Sequence, residues 1–239
     1  MSSVTNSAVS AVSSAITSAA KNTETINSLS SAFDYILDIY LDLFESINFD
    51  DQNLKISLLL VAFNPIFWNL VARLEFSTHF LTKLAGNAKR GCYILAFTIF
   101  SLGIARDYFF EQALKNQFTS PYLEHTYVKI AGVVSFLIGQ VLVISSMYQL
   151  GITGTYLGDY FGILMDERVV SFPFNVSNNP MYQGSTLSFL GTSLVYGKAA
   201  GLLVTFTVYT MYSCALKLEE PFTSHIYALR DEGKTKKNN

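Results

Sequence analysis

Four long apolar runs constrain this chain more than any other feature of its sequence. They cover residues 56–72, 91–105, 128–150 and 186–216, and charged side chains are almost absent from them. A helix needs roughly 20 apolar residues to cross the hydrocarbon core of a bilayer. Only 14% of the residues are charged, against about 25% in soluble domains. The chain is therefore expected to be an all-α, polytopic membrane helical bundle.

The composition also limits the classes of ligand. A formal net charge of −2 provides no basic footprint for nucleic acid. Cys92 and Cys214 lie inside apolar runs, which is typical of small buried side chains and not of a disulfide. The histidines are far apart, so no metal site is expected. The sequence shows no strand followed by a glycine-rich turn and a helix. A Rossmann domain is therefore not expected.

The first apolar run leaves two alternatives open. Residues 56–72 are marginal in length for about 30 Å of hydrocarbon. They also contain Asn64-Pro65, and proline removes a hydrogen bond from a helix interior. We expect a kink or a re-entrant segment here, and the sequence does not decide whether the segment spans the membrane or dips into it.

The last apolar run, 186–216, is long for one membrane helix. Gly197-Lys198 lies near its middle, where a lysine at the bilayer centre would cost about 2.5–3.5 kcal/mol. A helical hairpin is therefore preferred to a single span. With the three preceding segments, the hairpin puts the basic 73–90 loop and the basic C-terminal tail on the same, cytosolic side. The 151–185 loop and the Glu219-Glu220 pair then lie on that side too.

The chain divides into four regions. Residues 1–30 are rich in Ser, Ala, Thr and Asn and are expected to be a disordered or weakly helical tail. Residues 31–55 are interpreted as an amphipathic interfacial helix and linker, or as a helix that packs on the protein's own helices. Residues 56–230 form the membrane core, and 231–239 a basic polar tail. The acidic face of the amphipathic helix carries Asp34, Asp38, Asp42 and Glu45.

Two polar features interrupt the apolar pattern. In the 151–185 loop, glycines at 151, 154, 158 and 162 would form one ridge on a helix. Such a concentration of glycines, aromatics, acids and prolines is typical of a loop that builds a site. The adjacent carboxylates Glu219 and Glu220 follow an apolar run directly. They either form a solvated helix end or face a cationic ligand, because burying an uncompensated charge costs several kcal/mol.

These blocks resemble a known family. The segments GTYLGDYFGILMDERVVSFPFNVSNNPMYQGSTLSFLG (154–191), FNPIFWNLVAR (63–73) and LEEPFTSHIY (218–227) are similar to the small phospholipid N-methyltransferases of the endoplasmic reticulum. The resemblance covers about residues 56–230 and is closest to the fungal-type phosphatidyl-N-methylethanolamine N-methyltransferases. It implies S-adenosylmethionine (SAM)-dependent methylation of the monomethyl and dimethyl phospholipids to phosphatidylcholine. It also implies a multi-pass protein of the endoplasmic reticulum membrane, with a membrane phospholipid as substrate.

Three alternatives accompany that interpretation. Relatives of this type also perform all three methylation steps from phosphatidylethanolamine. The Asn-Pro-x-Tyr-x-Gly block (179–184) with a following Glu-Glu pair is similar to the isoprenylcysteine carboxyl methyltransferases. The third alternative is a non-catalytic, lipid-binding membrane protein. The oligomeric state is not predicted.

The resemblance implies the residues that bind SAM. The family's Glu-Glu motif maps onto Glu219 and Glu220, and its Gly-x-Gly motif aligns with Leu137-Ile138-Gly139, where leucine replaces the first glycine. Further cofactor contacts are implied in the Asn-Pro-x-Tyr-x-Gly block, at Asn179, Tyr182 and Gly184. No metal is implied.

The chemistry of amine methylation suggests the other candidates. An amine with a pKa like that of lysine, about 10.4, is mostly protonated at neutral pH and must lose a proton before it attacks. Candidate proton acceptors in the loop are Asp159, Asp166 and Glu167. For the lipid, Tyr156 and Tyr160 would provide cation–π contacts to the methylammonium, and Arg168 would bind the phosphate or pair with a neighbouring acid.

Overall fold

A computed structural model describes residues 30–167 and 169–237 of the chain, and these contain helices and no strand. The first of two compact units ends at Glu45. Its described part is one helix, 30–45 (α1), within the predicted amphipathic region. Its place at a membrane interface stays a prediction.

The second unit, from Ser46 onward, is a bundle of long helices. Its helices are α2 Gln52–Thr78, α3 Phe80–Ala85, α4 Ala88–Asn116, α5 Thr126–Thr155, α6 Pro180–Tyr196 and α7 Ala199–Lys237. Within the described residues, four of them (α2, α4, α5 with its following turn, and α7) are long and apolar enough to cross a membrane. The expected all-α, multi-pass membrane protein is confirmed.

The first apolar run is part of a continuous helix. Of the two alternatives, the structure has a long helix and not a re-entrant segment, because α2 runs for 27 residues through Pro65, about 40 Å at 1.5 Å per residue. The side chain of Asp51 caps its start by accepting from Leu54 N at 2.8 Å. Beyond the proline, Asn69 Nδ2 donates to Pro65 O at 3.1 Å.

The predicted C-terminal hairpin is also confirmed. Helix α6 ends at Gly197, whose φ of 66° is left-handed. Lys198 lies at the end of the bundle, where its Nζ donates to Gln117 O at 2.8 Å. At the opposite end, Arg73 Nη2 donates to Leu218 O at 2.7 Å, and Arg230 Nη1 donates to Met165 O at 2.8 Å. The basic loop and the start of the basic tail therefore share one end of the bundle, as expected.

The glycines of the 151–185 loop do not form one helical ridge, because no single helix runs through them. Gly151 has a φ of 63° and breaks α5. A short 3-10 turn, Gly158–Phe161, follows and is closed by Gly162 with a φ of 76°. Left-handed backbone costs an L-residue with a side chain about 1–2 kcal/mol, so these glycines turn the chain where a continuous helix would carry it away.

A different set of glycines joins α5 to α6. A Cβ on Gly139 would lie 2.5 Å from Gly184 O, and a Cβ on Gly191 would lie 2.5 Å from Gly132 O. The two pairs are seven residues apart on each antiparallel helix, so both fall on one face. Only glycine permits this approach of the two backbones, which is the usual way membrane helices gain van der Waals contact.

Candidate functional site

A cavity of about 510 Å³ lies between the helices at the end that carries the 151–185 loop. This volume is within the usual range for a small-molecule site, about 300–1,000 Å³. Helices α4 and α5 contribute mostly apolar lining, including Ile99, Phe100, Ile104, Val143, Met147 and Leu150. The polar lining includes Asn64, Arg106, Asp107, Thr155, Asp159, Asn178, Asn179, Tyr182, Tyr212, Glu219, Thr223 and Tyr227.

Glu219 is the centre of the polar wall. It is only 9% exposed, and both carboxylate oxygens are engaged. Oε1 accepts from Trp68 Nε1 at 2.7 Å and from Asn69 Nδ2 at 2.8 Å. Oε2 accepts from Tyr182 OH at 2.6 Å. Three donors from two other helices therefore hold one buried carboxylate, an arrangement that offsets much of its desolvation cost.

The local sequence explains how these donors are positioned next to Glu219. Pro180 is the first residue of α6, a position where its missing N–H costs nothing and its fixed φ suits the helix. Tyr182 therefore lies in the first turn of α6 and reaches Glu219. Trp68 and Asn69 are neighbours on α2, one turn after Pro65. The Asn-Pro pairs of both helices thus precede the residues that contact the carboxylate.

Of the three acids proposed as proton acceptors, only Asp159 lines the cavity. It lies in the 3-10 turn after α5 and is largely enclosed, and Oδ2 accepts from Thr223 Oγ1 at 2.8 Å. Asp166 and Glu167 are exposed and are not part of the cavity wall. Arg168, the predicted phosphate ligand, lies outside the described residues.

The predicted cofactor residues divide into two groups. Glu219, Asn179 and Tyr182 line the cavity. Glu220 is exposed but adjoins it, because Asn179 Nδ2 donates to Glu220 Oε1 at 2.8 Å. The others lie elsewhere, since Gly139 and Gly184 pack against each other. Leu137 and Ile138 are 57% and 49% exposed on α5, away from the cavity lining.

The two predicted substrate tyrosines also separate. Tyr156 lines the cavity, whereas Tyr160 does not. Tyr160 is 1% exposed and stacks on Phe222 with ring centroids 5.0 Å apart. Its buried hydroxyl has no hydrogen-bond partner within the part of the chain that the structure describes. Tyr160 therefore packs behind the wall, and its neighbour Asp159 faces the cavity.

Several cavity residues were not identified from the sequence. Trp68 and Tyr212 add aromatic rings next to Tyr182, with centroids 6.2 Å apart for Trp68–Tyr212 and 5.0 Å for Tyr182–Tyr212. Arg106 adds a cation from the middle of α4. A charged residue inside a membrane segment is a functional candidate by default, and that signal was available for Arg106. The aromatic residues carried no comparable signal.

Two buried polar atoms on the wall point to a ligand. Asn64 Oδ1 and Thr155 Oγ1 have no hydrogen-bond partner in the described part of the chain, and both residues line the cavity. An unsatisfied buried polar group costs about 1–3 kcal/mol. A ligand with N–H or O–H donors would remove that cost.

Comparison with known proteins identifies the family. The phospholipid methyltransferase family model matches residues 127–230. Phosphatidyl-N-methylethanolamine N-methyltransferase of Saccharomyces cerevisiae is 58% identical over 199 residues, 83% of this chain and 97% of that relative. The enzyme of the same name from Emericella nidulans is 55% identical over 190 residues, 80% and 93% of the two chains.

A relative with a different name is also similar. Phosphatidylethanolamine N-methyltransferase A of Dictyostelium discoideum is 46% identical over 200 residues, 83% of this chain and 94% of that relative. No solved structure matches the chain at a significant level. The similarity extends over nearly the whole of each relative, and this chain therefore belongs to the phospholipid methyltransferase family.

Proposed function

We propose that this enzyme methylates phosphatidyl-N-methylethanolamine and phosphatidyl-N,N-dimethylethanolamine to phosphatidylcholine in the endoplasmic reticulum membrane, with SAM as the methyl donor. The relatives with the highest identities described above are named for the first of these substrates. The observation that carries the proposal is the buried carboxylate of Glu219 among aromatic rings in a membrane-facing cavity. Such a site suits cationic ligands, and both the lipid amine and SAM are cationic.

The chemistry of the cavity wall supports SAM as the methyl donor. SAM supplies, when bound, a methyl group made electrophilic by the sulfonium. Glu219 provides negative charge on the wall, and Thr155 Oγ1, which has no partner among the described residues, provides a hydrogen-bonding group. Asn179 lies at the edge beside Glu220. These residues would hold the cofactor, and the carboxylates would orient its positive groups.

Glu219 and Asp159 have different roles in this proposal. Three donors already occupy lone pairs of Glu219, so it acts as a fixed counter-charge. Asp159 accepts one side-chain hydrogen bond, from Thr223, and it lines the cavity. Because the lipid amine must lose a proton before it attacks, Asp159 is the proposed proton acceptor, directly or through a water.

The aromatic wall binds the methylated amine. The ring of Tyr212 contacts those of Trp68 and Tyr182, and Trp68 and Tyr182 both donate to the Glu219 carboxylate. Each methyl group replaces an N–H donor, so the headgroup loses hydrogen bonds and gains apolar surface as the reaction proceeds. Cation–π contact compensates for that change, and it holds the nitrogen in position for attack on the methyl group.

A second candidate function is methylation of all three substrates, starting from phosphatidylethanolamine. The observation in its favour is the Dictyostelium discoideum relative, which is named a phosphatidylethanolamine N-methyltransferase and is 46% identical. The two candidates use the same cavity and differ only in whether the unmethylated amine is accepted.

Methyl transfer from labelled SAM tests the proposal directly. Membranes that contain this protein and no other methyltransferase are supplied separately with phosphatidylethanolamine, its monomethyl form and its dimethyl form. We expect label in phosphatidylcholine from the last two lipids and little product from the first. Comparable rates on all three lipids would establish the second candidate. An absence of methylated lipid from a folded protein would refute both.

A further inference from the structure

Arg106 lies deep in the membrane segment α4. It is ten residues before the end of the helix at Asn116, about 15 Å along the axis, and about 27 Å from the start at Ala88. A lone arginine at such a depth costs at least about 2.5–3.5 kcal/mol unless its charge is used. Its side chain is only 13% exposed, and it forms part of the cavity wall.

The contacts of Arg106 hold its guanidinium in place but do not use all of its N–H donors. Nε and Nη2 bind Asp107 Oδ1 at 2.9 and 2.8 Å. Nη1 donates to Tyr212 OH at 2.8 Å, and Cζ lies 4.9 Å from the Phe189 ring centroid. A guanidinium has five N–H donors. One N–H on each of Nη1 and Nη2 has no partner among the described residues, and two such donors match an oxyanion.

The cavity arranges its charges in a defined order. Tyr212 contacts Arg106 through its hydroxyl and Tyr182 through its ring, at 5.0 Å between centroids. Tyr182 in turn donates to Glu219. The cation of Arg106 is thus separated from the Glu219 carboxylate by aromatic side chains. A phospholipid headgroup has the complementary order, an anionic phosphate joined through a short linker to a cationic amine.

The α4 side of this part of the cavity carries exposed side chains. Phe100 and Ile104 are 53% and 56% exposed, and the side chain of Asp107 is 59% exposed. Helix α5 packs mainly on α6 through its glycines and contacts α4 much less. Acyl chains of a substrate would extend into the bilayer from this side while the headgroup lies in the cavity.

We propose that Arg106 binds the phosphate of the lipid substrate, with Asp107, Tyr212 and Phe189 as the residues that position its guanidinium. The assignment rests on the proposed function, since it takes a phospholipid to be the methyl acceptor. It orients the headgroup with the amine towards Glu219 and Asp159. The alternative anion is the carboxylate of SAM, and the two sources are separable by kinetics.

The test compares two lipids in mixed micelles with the full-length protein. One is phosphatidyl-N,N-dimethylethanolamine, and the other is a diacyl lipid with a dimethylamino group and no phosphate. For Arg106→Gln we expect the KM for the phospholipid to rise by about 10- to 100-fold, the effect of losing a charge-assisted pair. The KM and Kd for SAM, and the turnover of the phosphate-free lipid, should stay within about threefold.

Two further variants support the comparison. Arg106→Lys keeps the positive charge but loses the planar, bidentate donors of the guanidinium, and it should show an intermediate KM for the phospholipid. Lys115→Gln removes a positive charge from the same helix, where Lys115 pairs with Glu111 at 2.8 Å outside the cavity wall, and it should match the wild type. Thermal unfolding in detergent shows that each variant is folded even where SAM binding or lipid turnover is lost.

Specific outcomes would overturn the assignment. An unchanged KM for the phospholipid in Arg106→Gln would do so. A rise confined to the KM or Kd for SAM would assign Arg106 to the SAM carboxylate, as would loss of SAM binding in both Arg106 variants while Lys115→Gln binds normally. Failure of the proposed function is recognised separately, because the wild-type protein would then methylate no lipid at all.

Discussion

Two regions of the bundle use the space between helices in opposite ways. Where α5 meets α6, Gly132, Gly139, Gly184 and Gly191 bring the two backbones into contact and leave no room for a side chain. Where α2, α4 and α7 face the ends of α5 and α6, large polar and aromatic side chains enclose about 510 Å³. The first region is a rigid support, and the second holds the charges.

The predicted SAM motif of α5 lies in the first of these regions. The Gly-x-Gly pattern implied by the resemblance aligns with residues 137–139, and Gly139 packs on Gly184 and does not line the cavity. In the structure Gly139 contributes close packing, a main source of helix association in membranes, and its contact with SAM stays a prediction. Charges such as Glu219 and Arg106 are placed only where partners or ligands compensate for desolvation.

The largest effect is expected from the proton acceptor. Asp159→Asn should lower kcat by about 10²- to 10⁴-fold, the usual contribution of a general base, with little change in the Kd for SAM. Methyl transfer to the dimethyl phospholipid measures kcat, and calorimetry measures SAM binding. Asp166→Asn and Glu167→Gln are matched controls, because both carboxylates are exposed outside the cavity wall. An equal loss of kcat in either control would indicate that the general base lies outside the cavity.

The next effect separates the two adjacent glutamates. Glu219→Gln should lower kcat/KM by about 10- to 100-fold, because it removes a buried charge and leaves one of the donors on Trp68, Asn69 and Tyr182 without its acceptor. Glu220→Gln should change kcat/KM only a few-fold, since Glu220 is exposed and contacts Asn179 alone among these side chains. Similar losses in both variants would show that the pair acts as a unit.

Paired glycine substitutions test the rigid region. Gly139→Ala should destabilise the bundle by about 1–3 kcal/mol, because the new Cβ would lie 2.5 Å from a backbone oxygen. Gly103→Ala is the control, because its Cβ would meet nothing within 4 Å and should stabilise α4 by up to about 1 kcal/mol. Thermal unfolding in detergent reports both. If Gly139→Ala instead weakened SAM binding at unchanged stability, Gly139 would belong to the cofactor site.

The smallest effect is expected behind the cavity wall. Tyr160→Phe removes a buried hydroxyl that has no hydrogen-bond partner among the described residues, so stability should change by no more than about 0.5 kcal/mol and kcat/KM should be unaffected. Tyr182→Phe removes the donor to Glu219 Oε2 and should lower kcat/KM clearly in the same assay. A raised KM for the lipid in Tyr160→Phe would indicate that Tyr160 is part of the substrate site.

Much of the architecture could be predicted from local sequence. Apolar runs predicted the spanning helices, and Gly197-Lys198 predicted the hairpin, because a left-handed turn and a charge are both unfavourable at mid-membrane. Adjacent acids after an apolar run marked Glu219 as unusual. The sequence left open a re-entrant segment at 56–72, whereas helix α2 is continuous there. A single proline does not end a helix when the residues on both sides of it continue the helix.

The sequence by itself determined which segments are helices, that the chain is a multi-pass membrane protein and that the Glu219-Glu220 pair is unusual, since these depend on composition and on spacings of a few residues. Only the tertiary structure decided which side chains meet. Trp68 and Glu219 are 151 residues apart in sequence and 2.7 Å apart in space. The inward direction of Arg106 and the outward exposure of Leu137 depend on how whole helices pack, and that packing balances contacts along entire helix faces which no local pattern encodes.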